Sequence, residues 1–131
     1  MFRNLILCAL MLILLAACDG GGSESSLLFE DLPAEGDITR GAQIFNEDSR
    51  VVATCTACHN ANATGAPTLA DYGSIAGERV AGESAREYTF YAITAPARHI
   101  TEGYANAMPA RYDEEFSAQD IADLIAYLLS L

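Results

Sequence analysis

Two cysteines, Cys55 and Cys58, stand two residues apart, and His59 follows the second directly. This CTACH stretch constrains the chain more than its overall hydrophobicity does, because each chemistry that could use it demands a different framework. A thiol redox pair sits at a helix N-terminus beside a strand. A structural zinc ion takes four ligands in a tetrahedron. Covalent haem attachment uses this order of Cys, Cys and His, and it wants an apolar pocket around the group.

The remaining residues weigh these readings. The chain has four cysteines, at positions 8, 18, 55 and 58, and two histidines, His59 and His99. VVAT, just before Cys55, is too short and isolated to serve as the strand of a redox unit. Zinc would have to draw on His99 and on the awkwardly adjacent Cys58 and His59, and there is no second CxxC. With haem, both thiols would add to vinyl groups and His59 would reach the iron. Met108, in GYANAMPARY, is the candidate for the opposite side of the iron, with Pro109 stiffening its loop. A lone methionine is more often core filler, and His99 is the competing ligand.

The N-terminus reads as an address. Arg3 precedes an unbroken apolar stretch from Leu5 to Ala17, shorter than the roughly 20 residues of a membrane-spanning helix. LAAC, Leu15 to Cys18, resembles the bacterial lipoprotein box, which implies a signal peptide over 1–17 and a lipidated Cys18. A glycine-rich tether is expected over 18–36, with Leu27, Leu28 and Phe29 as an apolar patch able to pack back on a domain spanning 37–131. The expected location is lipid-anchored at the cell membrane, facing the periplasm or another extracytoplasmic space.

Net charge is −11, and all seven basic residues are arginines. Cleavage before Cys18 would leave eighteen acids against six arginines. Such a surface gives nucleic-acid binding little support. It fits either a solvated, self-repelling exterior or docking to a basic partner.

Helical periodicity dominates the folded part. Ser117 and Asp120 form a capping-box pattern with Asp in place of the usual Glu or Gln. Ile121, Leu124, Ile125 and Leu128 then make one apolar stripe. A first helix offers Ile38, Ala42 and Phe45 on one face, with Gly41 allowing a crossing helix to approach. A third helix is expected over 84–94, stopped by Pro96, with Tyr88 and Tyr91 on one side. The expected fold is all-α, several short helices with long loops wrapped around one covalent group.

From Ile38 to Leu131 the chain resembles the small class I c-type cytochromes. Gly41 and Phe45 match the family's N-terminal helix, and CTACH its attachment site. In APTL, Pro67 matches the proline whose carbonyl accepts the axial histidine's ring N–H, and Leu69 an apolar residue lining the haem. YGSIAGERV resembles a turn-and-helix segment in which Arg79 would bond a propionate, with Tyr72 and Tyr104 as weaker candidates. Met108-Pro109 matches the distal ligand loop, and IADLIAYL the closing helix. The resemblance implies one covalent haem c, with His59 and Met108 as iron ligands. It also implies one-electron transfer between redox partners, donor and acceptor, expected to be membrane-bound. Two alternatives remain at this stage. One is a fixed haem subunit of a larger oxidase or dehydrogenase complex, with LLFEDLPAE as a docking segment. The other is a haem protein that opens the sixth site to peroxide or a gas.

Overall fold

The computed structural model describes residues 27–131. The expected signal peptide over 1–17 and the expected lipidation site, Cys18, lie outside the described residues. Six α-helices occur among the described residues: α1 (Ile38–Glu47), α2 (Cys55–Cys58), α3 (Tyr72–Ile75), α4 (Ala85–Thr94), α5 (Tyr112–Glu115) and α6 (Ala118–Leu128). Short 3₁₀ turns at Phe29–Asp31, Ala76–Glu78 and Pro96–Arg98 complete the regular structure, and no strand is present among these residues.

Two helices frame everything else. α6 begins with the expected reciprocal cap: the Ser117 hydroxyl accepts the Asp120 amide at 3.2 Å, and the Asp120 carboxylate accepts the Ser117 amide at 3.1 Å. Its Ile121, Leu124, Ile125 and Leu128 are all buried. Each such side chain contributes on the order of 1.5–3 kcal/mol on leaving water, before the losses in chain entropy. α1 is capped by Asp37, whose carboxylate accepts the amides of Thr39 and Arg40 at 2.8 and 3.0 Å.

The crossing of α1 on α6 is the largest helix–helix contact. Gly41 lies at its centre, where a β-carbon would collide with the backbone carbonyl of Asp123. Because Gly41 sets the rotation of α1, the buried residues are Gly41, Ile44 and Phe45. This corrects the expected face. Ile38 lies on the flank of the stripe, 52% exposed, and Ala42 is half-buried. Phe45 instead meets Tyr127 of α6, with ring centroids 5.4 Å apart. Arg40 then bridges to Asp120 and Asp123, while Asp123 also accepts the Asp37 amide at 2.7 Å. Burial opposes the charge on both carboxylates. Their bonds to the Ser117 and Asp37 amides, to Gln119 and to Arg40 reverse that and hold both pKa values below the ordinary Asp range.

α4 starts one residue later than expected because Ser84 serves as its cap, accepting the Glu87 amide at 3.1 Å. Tyr88 faces inward, but Tyr91 does not share its surroundings. It is half-buried, with the Arg98 guanidinium 3.7 Å above its ring.

The expected free tether over 18–36 is shorter at its C-terminal end. Leu27, Phe29 and Leu32 pack against the core, and Arg86 of α4 donates to the carbonyl oxygens of Pro33 and Ala34. Within LLFEDLPAE, Leu27, Phe29 and Leu32 are thus turned onto their own domain, while Leu28 stays 52% exposed, outside the expected packed patch.

Candidate functional site

The CTAC stretch forms a single helical turn, and its ends are satisfied locally. The His59 amide donates to the Cys55 carbonyl at 2.9 Å, and the Asn60 side chain donates to the Thr56 carbonyl at 3.0 Å. In a helix, residues three apart share a face, so the turn presents Cys55 and Cys58 side by side. Cys55 is half-buried and Cys58 exposed, and both are free thiols. Burial pushes the Cys55 thiol up to about 11. Redox-active thiols are marked by lowered values, so this environment disfavours the thiol-switch reading.

His59 follows the turn and is oriented from the next loop. Its Nδ1 lies 3.0 Å from the carbonyl oxygen of Pro67. A carbonyl only accepts, so Nδ1 carries the proton of the neutral ring and Nε2 keeps its lone pair.

These residues open on a cavity of about 310 Å³ between α4 and α6. Its walls include Phe45, Tyr72, Tyr88, Ile93, Leu124 and Leu128. Cys55, Cys58, His59, Pro67, Leu69, Arg79 and Met108 line it, as do the weaker candidates Tyr72 and Tyr104. Met108 is half-buried in the loop that precedes α5. His99 also lines the cavity but is exposed, its ring set edge-on to Tyr88 with centroids 5.6 Å apart. No acidic side chain among the described residues lines the cavity.

Three buried phenols, Tyr72, Tyr88 and Tyr112, belong to the wall. Tyr72 shares a hydrogen bond of 3.1 Å with the Thr89 hydroxyl, and burial still pushes its phenol up to about 12. Tyr112 of α5 is likewise pushed up to about 12 by burial. The sequence reading passed over Tyr112, because a four-residue helix has no periodicity to read. Its place directly after the methionine loop was the available signal. Arg79 is half-buried at the cavity and forms no ion pair among the described residues, unlike Arg40, Arg50, Arg98 and Arg111.

The chain belongs to the cytochrome c family, whose family model, Cytochrome c, matches residues 38–131. No curated protein and no solved structure matches it. Membership implies a covalently attached haem c and a role in electron transfer. The donor set fits that group, since two thiols, an imidazole and a thioether converge on one apolar cavity. No helix among the described residues is long and apolar enough to cross a membrane.

Proposed function

We propose that this protein is a monohaem electron carrier, tethered to the membrane by lipid at Cys18 and working on its periplasmic or equivalent extracytoplasmic side. The observation that carries the reading is the convergence of Cys55, Cys58, His59 and Met108 on one cavity lined by no acidic side chain of the described residues. Cys55 and Cys58 are the thiols that would hold the cofactor covalently, as thioethers. His59 would offer Nε2 to the iron, with the Pro67 carbonyl fixing its tautomer, and Met108 would offer its sulfur as a second ligand. Arg79, unpaired with any carboxylate of the described residues, is placed to receive a propionate. Bound here, haem c supplies a one-electron ferric–ferrous couple. A thioether ligand and apolar walls favour the ferrous form and raise the potential. With His59 and Met108 both as ligands, the iron would keep no open site for substrate, which separates a carrier from a peroxide- or gas-binding protein.

The partners are a redox donor and acceptor whose docking faces are basic or largely apolar. The carrier reading is favoured over a fixed subunit because the apolar side chains Leu27, Phe29 and Leu32 of LLFEDLPAE pack on their own domain, with Arg86 holding the Pro33 and Ala34 carbonyls. The decisive measurement is the visible spectrum of the oxidised protein with mass spectrometry of the processed chain. A weak red-region sulfur-to-iron band, lost in Met108→Ala, and a mass carrying one haem and a lipidated Cys18 are expected. Absence of that band from the unaltered protein removes Met108 as ligand, and an unlipidated mature N-terminus removes the tether.

A further inference from the structure

Helix α4 is covered nearly all round, with no residue from Ala85 to Thr94 exposed. Tyr88, Thr89, Phe90, Ile93 and Thr94 are all buried, and a helix of that kind needs cover on every side. Tyr88 and Ala92, four residues apart, line the haem cavity, and Ile93 reaches its edge from between that face and Phe90. Arg86 and Phe90, also four apart, lie about 200° further round, because two residues turn a helix by that angle. α4 is therefore a wall with the cofactor on one side. Residues 27–34 lie on the other. The Phe29 ring stands 5.7 Å from that of Phe90, and Phe90 is only 1% exposed. Leu27 and Leu32 pack on the same core, and Arg86 clips the segment by its bonds to the Pro33 and Ala34 carbonyls.

We infer that Phe29 is a positioning residue for the haem, acting through Phe90. Docked, the segment 27–34 presses α4 onto the cofactor from behind. Released, it leaves the Phe90 ring facing water, and α4 loses the cover that keeps Tyr88 and Ala92 against the cavity. Water then reaches the cofactor more easily. Because burial disfavours the extra charge of the ferric state, the reduction potential falls. The inference rests on haem c occupying this cavity and not on lipidation of Cys18 or ligation by Met108.

The test uses the full chain with haem attached. Potentials from spectroelectrochemistry and amide exchange over 85–94 are measured for the unaltered protein, Phe29→Ala, Phe29→Leu, Arg86→Ala and the exposed control Glu30→Ala. Phe29→Ala should lower the potential and speed exchange in α4 by about tenfold or more. Phe29→Leu, which keeps an apolar plug, should restore most of both. Arg86→Ala should move both in the same direction by less, and it keeps the question open to measurement if Phe29→Ala does not fold. Glu30→Ala should move neither. The inference is overturned if Phe29→Ala exposes 27–36 to protease while the potential and α4 exchange stay unchanged. It is overturned equally if Glu30→Ala shifts the potential as far. An unaltered protein lacking any reversible one-electron couple would defeat the electron-transfer reading itself, and α4 exchange would then still decide whether the segment supports the helix.

Discussion

Nδ1 of His59 stands 3.0 Å from the carbonyl oxygen of Pro67, joining the end of the CTACH turn to the loop eight residues on. The bond uses the backbone of Pro67, so a side-chain change tests the loop's stiffness apart from the acceptor. Pro67→Ala should retain a histidine-bound haem spectrum at neutral pH. It should lower stability by about 1 kcal/mol through the greater freedom of the unfolded chain, read from denaturant midpoints. Loss of the histidine-bound spectrum would mean that the ring, not the carbonyl, orients His59.

Gly41 is the tightest point of the α1–α6 crossing, with the Asp123 carbonyl and the Tyr127 β-carbon directly over it. Gly41→Ala gains helix propensity in isolation, about 1 kcal/mol. Here the backbone cannot yield without parting the helices, so a net loss of about 3 kcal/mol or more is expected. Equilibrium unfolding of the haem-loaded protein measures it, and a neutral or stabilised variant contradicts the crossing.

Asp120 and Asp123 titrate below the ordinary carboxylate range in the fold. Their contribution is complete above the unfolded Asp value, near 3.9, and is lost as pH falls through the lower folded values. Acid unfolding should thus steepen below about pH 4. Arg40→Gln removes the shared partner and should move the acid transition to higher pH. Since Arg40 is about half exposed, the loss at neutral pH should be modest, about 1–2 kcal/mol. An unmoved acid transition would assign the lowered values to the amide bonds alone.

The charge of the surface sets a kinetic expectation. Oxidation of the reduced protein by a small cationic reagent should slow as salt is added, and oxidation by an anionic one should quicken. Rates indifferent to ionic strength for both reagents would show that the acidic side chains lie too far from the site of electron exit to steer anything.

What the sequence disclosed divides along physical lines. The α6 stripe, its Ser117 cap and the chemistry of CTACH are local patterns, legible because neighbours in sequence make them. Ile38 was misplaced because the rotation of α1 is decided by where Gly41 meets α6, and periodicity alone does not reveal that. Arg40 with Asp123, Phe29 with Phe90, and Arg86 with the Pro33 carbonyl are pairings across long stretches of chain, which no local pattern announces. Tyr112 hides for a different reason, in a helical turn too brief to show a repeat.

Arg40 and Asp123 lie 83 residues apart in sequence. Contacts that span so much chain form late, since a long loop must be closed before they repay it. The clasp between the first and last helices therefore follows the local turns in time, and until it shuts the CTACH turn stands on an open chain. A bulky planar group would meet least resistance in that interval, so a variant that hastens closure is expected to carry less haem, read from the haem-to-protein absorbance ratio.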